Sequence, residues 1–140
     1  MGRDARREMR IFRNLSGGKG AKIMKTIELK NIKAAELEIE DRMDSVQAAL
    51  DLMATASYEG CSALMVPKES LPETFFQLRT GFAGEVLQKF SNYKMKLAII
   101  GDFGGYQSKS LKDFIYECNK GKQVFFKATR EEAIKALEGA

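Results

Sequence analysis

The sequence predicts an α/β fold: a mostly parallel or mixed sheet of about five strands with four helices, in the order β-β-α-β-α-β-α-β-α. Two observations lead to this prediction. Short, continuous apolar runs, typical of strands buried on both faces, alternate with segments of helical periodicity. Each helical segment follows a side chain suited to capping, with a polar partner three residues later. This alternation favours a sheet covered by helices, with right-handed connections.

The first two strands are predicted from alternating polar and apolar residues. Residues 25–30, KTIELK, place two aliphatic side chains on one face and polar side chains on the other. Asn31 suits a turn, and residues 33–40, KAAELEIE, predict the second strand. The two strands would form a hairpin at the edge of the sheet.

A helix and a buried strand follow the hairpin. The helix is predicted for DSVQAALDLMATASYEG, with Asp44 as N-cap, Gln47 at the capping-box spacing and Gly60 at its end. The apolar run CSALMVP predicts a strand covered on both faces, which Pro67 ends.

The last third of the chain repeats this alternation. KMKLAIIGD predicts another buried strand, and FGGYQSKS predicts a loop. Ser110 and Asp113 have the capping spacing before LKDFIYECNKG, a helix that Gly121 ends. KQVFFK predicts the last strand, and Thr129 with Glu132 caps the final helix, REEAIKALEG.

The remaining helix, FFQLRTGFAGEVLQKFSNY, contains an irregularity. It is predicted to begin at the capping pair Ser70 and Glu73, yet Gly81 and Gly84 lie inside it. Each glycine costs about 1 kcal/mol relative to Ala in a helix interior. Either the helix breaks at Arg-Thr-Gly and frees backbone groups for a ligand or partner, or the glycines let a neighbouring element approach closely. Both interpretations predict a binding surface formed by Arg79, Thr80, Gly81, Gly84, Glu85, Gln88 and Lys89. The alternative is a purely structural segment, in which Arg79 pairs with Glu85 on the surface.

Composition limits the classes of function. The 140 residues are 44% hydrophobic and 30% charged, as in a globular protein, and none is histidine. Without histidine the commonest general base and metal ligand are missing, and any catalysis would have to rest on Asp, Glu, Lys, Tyr or a cofactor. We expect no catalytic residues, no metal and no cofactor. The positive charge of the chain, a net of +4, comes from residues 1–23, which hold seven basic and two acidic residues and so carry a net of +5. The remaining 16 basic and 17 acidic residues predict no nucleic-acid binding for residues 24–140.

Residues 1–23 are predicted to be a disordered basic extension, and residues 24–140 a single α/β domain. The codons for Gly-Gly-Lys-Gly, shortly before Met24, are purine-rich and resemble a bacterial ribosome-binding site. We therefore expect the natural protein to start at Met24. The alternative is a basic arm that touches nucleic acid or membrane.

The sequence also indicates where the protein works. No run approaches 18 apolar residues, so no membrane-spanning helix is expected. The first residues are charged and lack the apolar core of a secretory signal. Cys61 and Cys118 lie in apolar segments, which favours two buried thiols in a reduced compartment over a disulfide. We expect the cytoplasm.

A second candidate site follows from the sheet. Parallel strands place ligands beyond their carboxyl ends, and the loop GDFGGYQSKS lies at such an end. It offers a carboxylate, a phenol and two hydroxyls, from Asp102, Tyr106, Ser108 and Ser110. Helix N-termini bind anions, but the spacing matches no dinucleotide or Walker motif, and a capped helix after a tight turn accounts for it equally.

The stretches FFQLRTGFAGEVLQKFSNY, KLAIIGDFGGYQSKSLKDFIYECNKGKQVFF and EEAIKAL resemble the bacterial family named domain of unknown function 4180. The resemblance extends over nearly all of Met24 to Leu137 and implies no established activity. The order of elements is similar to that of STAS domains, which antagonise anti-sigma factors. The position of their phosphorylated serine corresponds roughly to Ser70, without the surrounding motif, and Ser70 is better interpreted as an N-cap.

Two functional hypotheses result. The first is a non-enzymatic protein-binding or regulatory module, STAS-like, which binds another protein or itself as a homodimer through the segment Arg79 to Lys89. The second is a small anionic ligand, bound or converted at the strand ends near Asp102 and Tyr106, with Arg79 or Lys89 as the counter-charge.

Overall fold

The computed structural model describes residues 24–140, and the predicted basic extension lies outside them. Within this part, five strands form a mixed sheet in sequence order: β1 (Lys25–Glu28), β2 (Lys33–Glu36), β3 (Ala63–Pro67), β4 (Lys96–Ile100) and β5 (Val124–Lys127). β1 is antiparallel to β2, and β2 to β5 are mutually parallel. The predicted edge hairpin and mixed sheet are confirmed.

Four α-helices connect or follow the parallel strands. They are α1 (Val46–Tyr58), α2 (Phe82–Asn92), α3 (Lys109–Lys120) and α4 (Arg130–Gly139). Three short 3₁₀ turns separate β3 from α2, at Lys68–Ser70, Glu73–Phe76 and Leu78–Thr80. The predicted α/β class and order of elements are therefore confirmed. No helix in the described range is long and apolar enough to cross a bilayer.

The helices cover the sheet from both faces. Leu64 and Val66 of β3 belong to the core formed with α1, α2 and α3, whereas Ala63 and Met65 point to the face covered by α4. All four of these side chains are buried. The continuous apolar runs are thus explained, because alternate residues of the central strands face two separate apolar layers.

The second strand is shorter than the predicted range 33–40. Leu37 still donates a backbone hydrogen bond to Met65, but the chain then turns. The Asp41 carboxylate accepts a hydrogen bond of 2.7 Å from the backbone N–H of Glu38, and the N–H of Asp41 bonds back to the Glu38 carbonyl. The turn that Asp41 stabilises ends the pairing with β3.

Two of the predicted helix caps are wrong by one or two residues. Ser45, not Asp44, caps α1, because its hydroxyl accepts from the N–H of Ala48 at 3.0 Å. Ser108, not Ser110, caps α3, since its hydroxyl accepts from the N–H of Leu111 at 3.2 Å. Thr129 caps α4 as predicted and accepts from the N–H of Glu132 at 3.1 Å.

The edge of the sheet at β5 is covered by a side chain. The Asn119 amide accepts from the backbone N–H of Phe126 at 2.8 Å and donates to the Phe126 carbonyl at 3.2 Å. Asn119 therefore occupies the hydrogen-bonding groups that an additional strand would use at this residue.

Candidate functional site

The irregular segment contains a true break before α2. Gly81 has φ of +79°, in the left-handed region, and it lies between the turn Leu78–Thr80 and the first residue of α2. The predicted break at Arg-Thr-Gly is confirmed. The predicted helix start at Ser70 and Glu73 is wrong, because the chain there forms 3₁₀ turns around Pro72 rather than an α-helix.

The close-contact interpretation of the two glycines is wrong. A Cβ atom added at Gly81 or at Gly84 would meet no other atom within 4 Å, apart from its own helix and chain neighbours. Gly81 is required by its backbone conformation, whereas the face around Gly84 is open.

Thr80 serves the break itself. Its hydroxyl lies 2.8 Å from the carbonyl oxygens of both Thr74 and Gln77, and it accepts from the N–H of Phe82 at 3.2 Å. These bonds join the turns before the break to the start of α2. The backbone groups that the break frees are thus partly satisfied by Thr80, which holds the segment in one shape.

The charged side chains of this segment are presented to solvent. Arg79 and Glu85 are exposed, and in the described part of the chain neither forms an ion pair, so the Arg79–Glu85 pair of the purely structural alternative is absent. Gln88 is also exposed and donates to the Asn92 side chain at 3.0 Å. Lys89 is half-buried. This surface carries three charges, those of Arg79, Glu85 and Lys89, that form no ion pair within residues 24–140, and the two exposed ones are of opposite sign.

Ser70 cannot act as an exposed serine. Its side chain is completely buried, and its hydroxyl donates to the Glu38 carbonyl at 2.9 Å, with the Ile39 carbonyl at 3.3 Å. It therefore fastens the chain after β3 to the chain after β2. Phosphorylation of Ser70, which a STAS-like role would need, is therefore not possible without opening this part of the fold.

At the strand ends, Lys68 lies between the end of β3 and the loop after β4. This residue was not identified from the sequence. Pro67 of β3 pairs with Ile100 of β4, so Lys68 and Gly101 follow at the same level. The Lys68 stem crosses Gly101 so closely that a Cβ there would lie 2.6 Å from the Lys68 Cβ. Its ammonium donates to the Asp102 carbonyl at 3.1 Å.

Three aromatic rings surround the Lys68 ammonium. Its Nζ lies 4.7 Å from the ring centre of Tyr106 and 5.9 Å from those of Phe76 and Phe103. Such distances are those of cation–π contacts. We call the rings of Phe76, Phe103 and Tyr106 the aromatic cage. Phe76 is buried, but Lys68, Phe103 and Tyr106 are only half-buried, so the cage reaches solvent.

The other predicted strand-end residues stabilise the backbone close to them in sequence. The Asp102 carboxylate accepts from the N–H of Gly104 at 2.9 Å and shapes the loop. Ser108 caps α3, and Ser110 is exposed in its first turn. The structure therefore brings Asp102 and Tyr106 to Lys68, whereas the two serines serve the helix that follows.

Stacked rings connect the two candidate sites. Phe76 stacks on Tyr106 with ring centres 5.2 Å apart and an interplanar angle of 18°. Phe76 also contacts Phe75 edge-on at 5.1 Å, and Phe75 contacts Phe82, the first residue of α2, at 6.2 Å. The broken segment and the strand-end loop, which the sequence presents as separate sites, are thus one continuous structure.

The two cysteines show no sign of catalytic activation. Burial, followed by the charge of Glu117, raises the pKa of the Cys118 thiol to about 11, and burial raises the pKa of Cys61 as well. Both cysteines are free. Neither is the activated thiolate that a nucleophile requires. Within residues 24–140 no group of three His, Cys, Asp or Glu side chains is arranged to hold a metal ion.

Comparison with known proteins shows which family this chain belongs to. The family model described as domain of unknown function (DUF4180) matches residues 29–137. The chain belongs to this family. A search of curated proteins and a search of solved structures each gave no match. The DUF4180 match includes both the broken segment and the strand-end loop, so the aromatic contacts of Phe76 that connect them lie inside the family domain.

Proposed function

We propose that this DUF4180 domain is a non-enzymatic protein-binding module, a regulatory element of the STAS kind, whose first partner is a second copy of the chain. The observation that carries the proposal is the pair of opposite, unpaired charges, Arg79 and Glu85, on either side of the backbone break at Gly81.

The strand ends support a binding role over catalysis. In an open α/β sheet this is where reacting groups are usually found. Here the Asp102 carboxylate and the Ser108 hydroxyl accept hydrogen bonds from nearby backbone N–H groups, and the Lys68 ammonium donates to a backbone carbonyl. These groups shape the protein, and none of them forms a hydrogen-bonded acid–base pair with another side chain.

The surface at the break suits association between two copies. A two-fold interface is self-complementary, so Arg79 of one copy can pair with Glu85 of the other, and the reverse pair forms at the same time. Leu78 and Phe82 are half-buried beside these charges and offer apolar area at the centre of such a contact. The hydrogen bonds of Thr80 keep the surface in one shape, which lowers the cost of binding.

Charge reversal tests this arrangement. Arg79→Glu and Glu85→Arg should each weaken dimerisation, since each places like charges opposite each other. The double variant should restore it, because the reciprocal pairs form again with their signs exchanged. Sedimentation velocity over a concentration series measures the dimer fraction, and circular dichroism checks that each variant folds. A wild-type chain that stays monomeric, or a double variant no better than the singles, contradicts the proposal.

A small anionic ligand at Lys68 is the second candidate. In the part of the chain that the structure describes, the Lys68 ammonium has no carboxylate partner and makes one hydrogen bond, to the Asp102 carbonyl. Its remaining N–H groups are free for a carboxylate or phosphate. A thermal-shift panel of nucleotides and organic anions should then stabilise the wild type but not Lys68→Ala. If no compound in the panel shifts the wild type, this candidate fails.

The cysteines support the expected location. Cys61 and Cys118 are free, and both thiol pKa values are raised by burial. Two unpaired thiols fit a reducing compartment, and we propose the cytoplasm on this ground.

A further inference from the structure

We propose that the aromatic cage of Phe76, Phe103 and Tyr106 is a binding site for organic ammonium cations, and that Lys68 is its resident intramolecular occupant. The proposal goes beyond the association proposed above and does not depend on it.

The contacts of Lys68 are those of a bound cation. Its Nζ lies 4.7 Å from the centre of the Tyr106 ring and 5.9 Å from the centres of the two phenylalanine rings. Several electron-rich ring faces around one ammonium are the arrangement by which proteins recognise quaternary ammonium groups. The rings therefore form a site suited to an ammonium group, and the Lys68 side chain already occupies it.

The geometry of the cage is fixed without Lys68. Phe76 stacks on Tyr106, and Phe103 packs edge-on against the buried Phe126 of β5 at 5.3 Å. Phe76 also contacts Phe75, which is buried. Because the rings are held by the core, withdrawal of the lysine leaves a cage rather than a collapsed cluster.

Lys68 is able to leave. One hydrogen bond to the Asp102 carbonyl and three cation–π contacts hold the ammonium, and no carboxylate binds it within residues 24–140. Lys68 and Tyr106 are half-buried, so the site opens to solvent. A trimethylammonium group interacts with the rings but needs no hydrogen-bond acceptor, and it can take the place of the lysine, whose ammonium returns to water.

The ligand class is therefore an alkylammonium, with quaternary forms favoured. The same group occurs in free cholines and in trimethylated lysine side chains. Choline, a peptide containing trimethyllysine, and 3,3-dimethylbutan-1-ol, which has the shape of choline without its charge, are the probes that separate these sources from simple apolar binding.

Titration by NMR tests the proposal on the wild type and on Lys68→Ala. We expect Lys68→Ala to bind choline about tenfold more tightly than the wild type, because the wild-type cage is open only part of the time. The neutral alcohol should bind neither protein. Replacing Tyr106 by Leu in the Lys68→Ala background should abolish binding. If the trimethyllysine peptide binds more tightly than choline, the ligand is a modified protein side chain; the reverse order indicates a free metabolite.

The wild type gives a second measurement that does not depend on how well the variants fold. The Lys68 Hε protons lie over aromatic rings and should show upfield ring-current shifts, which choline should remove as it perturbs the Tyr106 ring signals. An anion bound to Lys68 in place would leave those upfield shifts. Equal choline affinity of wild type and Lys68→Ala, equal binding of the neutral alcohol, or unchanged Lys68 shifts at saturating choline would each overturn the proposal.

Discussion

The side chain of Lys68 passes over Gly101, and a Cβ atom at position 101 would lie 2.6 Å from the Lys68 Cβ. This relationship follows from the register of the sheet, because Pro67 and Ile100 are paired residues of β3 and β4. The crossing directs the ammonium into the aromatic cage, so the absence of a side chain at Gly101 is a condition for the site.

Gly101→Ala should therefore destabilise the protein by about 1–3 kcal/mol through overpacking, and it should displace Lys68 from the rings. Gly105→Ala in the same loop is the matched control, because a Cβ there meets nothing within 4 Å. Urea denaturation gives the free energy of unfolding of both variants. A Gly101→Ala protein as stable as Gly105→Ala would show that the crossing is not tight.

The two glycines of the broken segment should respond in opposite directions. Gly81→Ala forces a left-handed φ of +79° on alanine and should cost about 1 kcal/mol. Gly84→Ala lies in α2 with open space around its Cβ and should stabilise by about 0.5–1 kcal/mol, the helix propensity difference. Thermal unfolding of both variants is the measurement. A destabilising Gly84→Ala would indicate a close neighbour at this face after all.

Asn119 should contribute to stability far more than its half-buried position suggests. Asn119→Ala leaves the N–H and the carbonyl of Phe126 without their side-chain partners, and we expect a loss of about 1–3 kcal/mol. Gln88→Ala removes an exposed side chain-to-side chain hydrogen bond on α2 and should change stability by less than about 0.5 kcal/mol. If the two variants unfold at the same denaturant concentration, the hydrogen bonds between Asn119 and Phe126 do not contribute to stability.

The ion pair between Glu36 and Arg130 should make stability depend on pH in the acid range. The hydrogen bond from Arg130 holds the pKa of the Glu36 carboxyl below its ordinary value of 4.5. Because the folded-state pKa is the lower one, the stabilisation is complete well above pH 4.5 and is lost as pH falls through the folded-state pKa.

Glu36→Gln should accordingly be less stable than the wild type at pH 7, and the difference should shrink as the pH is lowered below 4.5. Gln88→Ala, which removes an exposed side chain that carries no charge, should show no such trend. Denaturant unfolding at a series of pH values provides the comparison. A wild-type advantage that persists unchanged in acid would mean that the pair is not its source.

Much of the fold was predictable because local signals agreed with one another. The apolar runs of β3 and β4 and the glycine at 60 mark their elements through short-range chemistry. The caps at Ser45 and Ser108 were missed because several hydroxyl and carboxyl residues stand close together there. Spacing alone does not decide which of them adopts the extended backbone of an N-cap.

The site was less predictable because it depends on contacts between distant residues. Asp102 and Tyr106 were found from the strand-end rule, but Lys68, Phe76 and Phe103 were missed. Lys68 also follows the end of a predicted strand, at Pro67, but a single lysine at that place carries no further signal. The pairing of β3 with β4, which places Lys68 beside Gly101, is what identifies it.

We propose that this domain binds a protein, and first a second copy of itself. Native mass spectrometry of the protein purified gently from its own host is the measurement that tests this function. We expect a complex at an integer multiple of the chain mass, with the dimer as the main species. A single chain carrying only a small excess mass would favour the small-ligand candidate, and a bare single chain at every concentration would rule out self-association.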